Sequence, residues 1–141
     1  MNEIRTIPVF AYGSLRPGAN GASTMLTRAS VAGPWRALTL GELFYHECGA
    51  YPVLAPSTTT VTRGDLLLVD ERSQGWQWLL DMEIRAGYEP RWVSVTAEQS
   101  DGKMGTTEAL AFMWEHSTDG LERVPGGDWM NADWEPWPMR D

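Results

Sequence analysis

The chain has 141 residues, with 19 acidic side chains against 11 basic ones and a formal net charge of −8. That length fits one domain of about 100–150 residues, large enough to bury about 68–70% of its unfolded surface around one core. With 43% hydrophobic and 21% charged residues it is neither disordered nor membrane-spanning by composition, and an acidic balance with Lys103 as its one lysine argues against nucleic-acid and anionic-membrane partners, which require basic stripes.

Met1 to Arg5 lack a basic region followed by a long apolar one, so no secretory leader is expected. Apolar runs such as Leu66–Val69 fall far short of the ~20 residues of a membrane helix. The expectation is a cytoplasmic protein folded as a single domain over 1–141. Ile7 to Tyr12 is short, apolar and β-prone and runs into Gly13-Ser14 and a glycine-containing loop, the pattern of a strand followed by a turn. Residues 22–29 suit a short helix. Trp35 to Tyr45 reads as extended, with Leu38, Leu40 and either Leu43 or Phe44 facing inward. Cys48, the lone cysteine, forms no internal disulfide, so folding needs no oxidising compartment. Gly49 to Pro56 reads as an irregular loop packed on the body.

Thr58 to Asp70 is rich in β-branched residues and then leucine, and is expected to be a strand. Ser73 offers an N-cap for a helix over 74–85, and Gly87 stands where a helix-terminating glycine belongs. Arg91 to Ala97 alternates like a half-buried strand, Asp101-Gly102 is a turn, and Thr106 to Trp114 is a further strand. After Val124 the chain is rich in Pro, Gly and Trp, and residues 125–141 are expected to pack on the body as a tail. No repeat at solenoid spacing is present. Turns between successive strands imply mostly antiparallel pairing with two inserted helices. The fold class is therefore α+β, a small closed or nearly closed mixed β-barrel.

The helix over 74–85 carries an anomaly. At about 100° per residue, Trp76, Leu79, Leu80 and Ile84 share an arc, and Glu83 falls inside it although Gln77, Asp81 and Arg85 define a polar face elsewhere. Burial disfavours the charged carboxylate and raises its pKa, and the C-terminal end of the helix dipole acts in the same direction. Both effects suit a general acid/base working near neutrality. A structural reading stands beside it, in which Glu83 reaches water or pairs with Arg91 or Arg16.

Tyr12-Gly13-Ser14-Leu15 ends a strand in a turn whose successive N–H groups can form an anion-binding nest. It lacks the Gly-Lys-Ser/Thr of a P-loop and the flanking glycines of a serine nucleophile elbow. Together with Gly41-Glu42-Leu43-Phe44, Tyr51-Pro52-Val53-Leu54, Arg63-Gly64-Asp65-Leu66-Leu67, the Glu83–Tyr88–Arg91 segment and Gly127-Asp128-Trp129, this loop resembles the gamma-glutamylcyclotransferase-like superfamily over residues 7–129. The chain departs from that pattern in Leu79-Leu80-Asp81-Met82-Glu83-Ile84, where the family often has Leu-Asp-x-x-Glu-Gly, and its Tyr-x-Arg is stretched to Tyr88-Glu89-Pro90-Arg91.

The resemblance implies a cofactor-independent enzyme that cyclises a small γ-glutamyl compound. The α-amine attacks the γ-carbonyl, releasing 5-oxoproline and an amine or amino acid. Glu83 would be the catalytic acid/base, Gly13, Ser14 and Leu15 would hold the substrate α-carboxylate, and Tyr12 and Tyr88 would shape the pocket. A non-catalytic domain of the same fold that binds a small carboxylate is the alternative. His46 and Cys48, two residues apart, are compatible with a thiol–imidazole pair, but a lone cysteine is more often a small buried hydrophobe. The two histidines and Cys48 lack zinc-ligand spacing, so no metal is expected. Asp101, Asp119 and Asp128 suit turns. Trp129, Trp134 and Trp137 lie in a segment poor in basic residues, so anchoring the tail explains them better than stacking on bases.

Overall fold

Three runs of consecutive apolar residues, 9–11, 66–69 and 109–113, are too short for helices and too uniform for half-exposed strands. In the computed structural model, which describes residues 5–13, 21–48, 51–99 and 101–127, each lies in a strand covered on both faces. The first is in β1 (Thr6–Ala11), where Val9, Phe10 and Ala11 are all buried. Helix α1 (Gly21–Ala29) follows, then β2 (Ser30–Leu40) and a small hairpin of β3 (Glu42–Tyr45) and β4 (Pro52–Ala55). The chain continues through β5 (Val61–Asp70), α2 (Gln74–Arg85), β6 (Tyr88–Glu98) and β7 (Met104–Trp114).

Five strands close into a barrel in the order β1-β5-β2-β6-β7. Its pairings are antiparallel except for the parallel β1–β7 seam at Val9 and Leu110. Alternate residues divide the core in two. Phe10, Ala37, Leu66, Val95, Ala97, Ala109, Ala111 and Met113 belong to one buried cluster, while Val9, Ala11, Leu67, Val69, Leu110 and Phe112 belong to another. The second also contains Leu26 and Ala29 of α1 with Trp76 and Leu79 of α2, so it is the outer face of the barrel, covered by both helices. The closed α+β barrel with two inserted helices is thus the architecture expected, and each strand buried on both faces accounts for one apolar run.

Strand β2 differs from expectation in phase. Ala37 and Thr39 are buried, Leu38 is half-buried and Leu40 is 55% exposed. The register of β2 on β5 shifts between Ser30 and Ala32 and again between Ala32 and Trp35, and one residue of slip exchanges the faces. A five-stranded interior already holding Phe10, Leu66 and Met113 takes alanines more readily than leucines. Thr39 is tolerated there because its hydroxyl donates to the Ser94 carbonyl at 2.7 Å. Pro52–Ala55, expected as loop, is strand β4, with proline at its first position where no ladder donor is required. The strand expected from Thr58 begins only at Val61, because the Ser57 hydroxyl accepts from the N–H groups of Thr59 and Thr60 and holds a bend.

Local signals around α2 agree with the structure. Ser73 Oγ accepts the Trp76 N–H at 3.2 Å, and Gly87 turns the chain out of the helix at φ +105°. The Asp101-Gly102 turn is also present, with Gly102 at φ +84°. Pro125–Gly127 forms a short 3-10 turn with Gly127 buried; the tail expected beyond it, including Asp128, Trp129, Trp134 and Trp137, lies outside the described residues. Among those residues no helix is long and apolar enough to cross a membrane.

Candidate active site

One end of the barrel gathers the chemistry. Tyr12 and Gly13 follow the last residue of β1, Tyr51 and Pro52 open β4, Tyr88 opens β6 opposite Trp114 at the end of β7, and Glu83 sits in the last turn of α2. Pro52 is the meeting point. The Tyr88 hydroxyl donates to its carbonyl at 2.6 Å. A Cβ on Gly13 would stand 2.3 Å from its Cγ, so only glycine lets the exit of β1 lie against that rigid ring. The Tyr12 hydroxyl donates to the Phe112 carbonyl and is in turn approached by the Leu54 N–H. Both phenolic protons are therefore committed to backbone carbonyls, and the phenols are fixed pieces of wall.

Glu83 is half-buried, and burial pushes its carboxyl from 4.5 up to about 7. Tyr12, Tyr51 and Tyr88 surround it closely enough to feel its charge. Tyr12 is raised by burial, then by Tyr88 and Glu83; Tyr88 by burial, then by Glu83, Tyr51 and Cys48; Tyr51 by burial, then by Cys48 and Glu83. The three phenols thus stay protonated around a carboxyl poised to exchange its proton near neutrality.

The pairing with Arg91 contemplated for Glu83 does not form. Arg91 makes a bidentate contact with Glu115 at 2.7 and 2.9 Å, and among the described residues no basic side chain forms an ion pair with Glu83. Ile84, expected on the apolar arc, is 48% exposed. The buried stripe is Trp76 and Leu79, with Leu80 and Met82 packed beside it. Residues 76, 79, 80 and 83 recur at the i, i+3, i+4, i+7 spacing of one face, so Glu83 rather than Ile84 completes the stripe. Asp81 and Arg85 pair with each other on the solvated face at 2.9 Å.

Of the site residues read from sequence, Glu83, Tyr12, Gly13 and Tyr88 converge on this end of the barrel; Ser14 and Leu15 lie outside the described residues. His46, Tyr51 and Trp114 were not assigned to the site. In the sequence Tyr51 stands out only as part of the Tyr51-Pro52-Val53-Leu54 motif, and the end of β7 meets the end of β3 through tertiary contacts that no local spacing reports. The His46 ring stacks on Tyr51 at 4.4 Å and meets Trp114 edge-on at 5.4 Å, and Trp114 contacts Tyr88 at 5.3 Å. Cys48 is exposed, contrary to the buried-hydrophobe reading, with Sγ 3.2 Å from His46 Nδ1. Among the described residues no group of three His, Cys, Asp or Glu side chains is placed to hold a metal. Asp101 and Asp119 lie in turns as expected; Asp128 lies outside the described residues.

The site is thus a small closed barrel that carries, on a covering helix, a half-buried carboxyl with no ion-pair partner among the described residues; Arg16, the other partner considered for it, lies outside those residues. The chain belongs to the family described as gamma-glutamyl cyclotransferase, AIG2-like, whose model matches residues 9–131. No curated protein matches the chain in sequence. Among solved structures it is similar to an AIG2-like protein from Mus musculus, at 17% identity and TM-score 0.69 over 89% of this chain and 88% of that one. It is also similar to YkqA from Bacillus subtilis, at 22% identity and TM-score 0.62 over 89% of this chain and 40% of that one. A third similar structure, entitled gamma-glutamyl cyclotransferase, has 14% identity and TM-score 0.53 over 86% of this chain and 71% of that one. At these identities the structural likeness establishes the fold.

Proposed function

We propose that the protein is a cyclotransferase that converts a small γ-glutamyl amide into 5-oxoproline and a free amine. One observation carries the reading: Glu83, half-buried with no ion-pair partner among the described residues, has its carboxyl raised to about 7 within a wall of three phenols. The reaction needs a group that first takes a proton and then returns it. Ionised Glu83 accepts a proton from the substrate α-ammonium, and the freed nitrogen attacks the γ-carbonyl of the same molecule. As the tetrahedral intermediate collapses, the carbon–nitrogen bond to the released amine breaks and Glu83 delivers its proton to that nitrogen. The second proton left on the new ring nitrogen passes to the released amine, which departs as its ammonium form, so Glu83 ends as it began and no water is consumed.

Because nucleophile and electrophile share one molecule, orientation supplies much of the acceleration; well-oriented intramolecular reactions reach effective molarities of about 10⁵–10⁸ M. The rigid wall built on Pro52 serves that end. The Tyr88 oxygen, its own proton given to Pro52, keeps a lone pair able to accept from the α-ammonium. In this scheme the N–H groups of Gly13, Ser14 and Leu15 bind the substrate α-carboxylate. The proposal involves a small-molecule partner, no cofactor, no nucleic acid and no membrane, and a cytoplasmic setting.

The test is 5-oxoproline release from a panel of γ-glutamyl amides by the wild-type protein and by Glu83→Gln. Loss of the acid/base is expected to slow turnover by about 10²–10⁴-fold while binding persists. Wild-type turnover by a folded Glu83→Gln protein refutes the role of Glu83. Saturable binding of the panel by the wild type with no 5-oxoproline formed supports the carboxylate-binding domain instead.

A further inference from the structure

The outer wall of the barrel is covered unevenly. Both helices pack over Val9, Leu67, Val69, Leu110 and Phe112, but three outward apolar side chains elsewhere on the wall stay open to solvent. Leu40 on β2 is 55% exposed, Trp92 on β6 56% and Val61 on β5 37%. The register makes them neighbours. Leu40 pairs with Val61 on one side of β2, and on the other side Leu38 pairs with Thr96. Trp92 points the same way as Thr96, because Val93, Val95 and Ala97, which alternate with them, belong to the interior cluster. Continuing that register sets Ser94 beside Leu40 and Trp92 diagonally from it, within reach of a long side chain. This face also crosses the shortest seam of the barrel: β2 and β6 pair only over Ala37–Thr39, whereas β6 and β7 pair along their whole length.

The chain itself arrives at this face. Residues 122–124 are fastened to β3, where the Tyr45 N–H donates to the Glu122 carbonyl and the Val124 N–H to the Leu43 carbonyl, both at 2.8 Å. Pro125–Gly127 then turns onto the first residue of β5. Gly127 is buried at φ +63°, and a Cβ on it would stand 2.4 Å from the Val61 carbonyl, so glycine alone lets the backbone approach so closely. Gly127 is also the last described residue. Residues 128–141 follow it, with Trp129, Met130, Trp134, Trp137 and Met139 among them. Trp129 is at most about 7 Å of extended chain beyond Gly127, and Leu40 lies one strand spacing, about 4.8 Å, beyond Val61. Because β2 is hydrogen-bonded on both sides where Leu40 stands, what covers Leu40 packs on it through side chains and not as an added strand. Pro136 and Pro138, which have no N–H to give a ladder, suit a segment of that kind.

We infer that residues 128–137 form a strap across this face, with the Trp129 ring on Leu40 and Val61 and the residues after it running toward Trp92, so that the strap braces the β2–β6 seam from outside. The other candidate for an exposed apolar patch is a second copy of the chain. Tethering decides between them: a segment that starts on Val61 meets the patch at an effective concentration of about millimolar, far above that of a separate molecule at micromolar protein. Tryptophan is suited to the anchoring position, since one side chain covers both Leu40 and Val61 with few rotatable bonds to fix.

The test uses the full-length protein. NMR of the wild type is expected to show nuclear Overhauser contacts from the Trp129 ring to the methyl groups of Leu40 and Val61, with the Trp129 signals assigned through Trp129→Phe. Chymotrypsin cleavage after Trp134, followed by mass spectrometry while the barrel stays intact, is expected to be about tenfold faster in Leu40→Glu and in Trp129→Ala than in the wild type, because loss of one large apolar contact shifts a docking equilibrium by about that factor. Val31→Glu changes another exposed apolar residue of β2, away from this face, and is expected to leave the rate at the wild-type value. Absence of the Trp129 contacts, one cleavage rate for wild type, Leu40→Glu and Trp129→Ala, or an equal acceleration by Val31→Glu overturns the inference. A wild type that elutes as a dimer and becomes monomeric with Leu40→Glu but not with Trp129→Ala also overturns it, and gives the face to a second copy.

Discussion

Replacing Glu83 by glutamine is expected to make the protein more stable at neutral and alkaline pH while removing its activity. A carboxyl at 4.5 in the unfolded chain and about 7 in the fold holds its proton more tightly when folded. Between those values the folded state binds more protons than the unfolded one, so stability falls as pH rises through that window. At about 1.36 kcal/mol per tenfold in proton affinity, the full gap corresponds to about 3 kcal/mol. Access of water to the half-buried side chain brings the expected cost nearer 2 kcal/mol. Below about 4.5 both states carry the proton and the cost vanishes; above about 7 it is complete. Glutamine has nearly the same shape, carries no charge at any pH and therefore escapes the cost.

The assay is urea denaturation of both proteins at about pH 4 and about pH 8, with the difference in unfolding free energy compared between the two. The advantage of Glu83→Gln is expected to grow by about 2–3 kcal/mol from the lower pH to the higher. Carboxyl NMR of the wild type is expected to show one glutamate titrating near 7, and kcat/KM for 5-oxoproline formation is expected to fall along an acid limb with its midpoint at the same value. A stability difference independent of pH, or an acid limb near an ordinary carboxylate value, would falsify the desolvation account of Glu83.

Gly13→Ala places a methyl 2.3 Å from the Pro52 Cγ; a destabilisation of about 1–3 kcal/mol is expected in urea melts, with kcat/KM falling because the exit of β1 moves. Tyr88→Phe removes the donor that satisfies the Pro52 carbonyl at 2.6 Å, expected to cost about 1–3 kcal/mol and to lower kcat/KM, while retention of both values would show that this wall is not held by the hydroxyl. Ser73→Ala removes the cap on the Trp76 N–H and is expected to lower stability by about 1 kcal/mol with unchanged turnover per folded molecule, which separates support of α2 from chemistry at its far end.

What was legible in the sequence is what local rules govern. Ser73 and Gly87 bracket α2 because capping acts within one turn of chain, and the three apolar runs read as strands because burial on both faces leaves no polar position in them. The inward phase of β2 was not legible, since the shifts near Ala32 depend on the register of a partner some thirty residues away. Nor was β4, because proline at position 52 reads as loop until its place at the start of a short strand is known. In the site, Glu83 betrayed itself by falling on a buried helical face. The Tyr51–His46–Trp114 wall gave no such sign, being assembled from the ends of β3, β4 and β7 by contacts across tens of residues.

The motifs that carry the family resemblance do a different job from the residue that carries the chemistry. Gly13 is glycine because of Pro52, Tyr12 closes onto Phe112 and Leu54, and Tyr88 spends its proton on Pro52. These residues brace one end of a barrel, and none of their phenolic protons is free for transfer. Glu83 is the converse: no ion pair among the described residues holds it, and the fold is less stable for keeping it charged. Selection for a stable fold alone would exchange such a carboxyl for glutamine or leucine on that helical face. Its presence at the cost worked out above is therefore the stronger sign of function, and the bracing residues are the reason so costly a group has one defined place to stand.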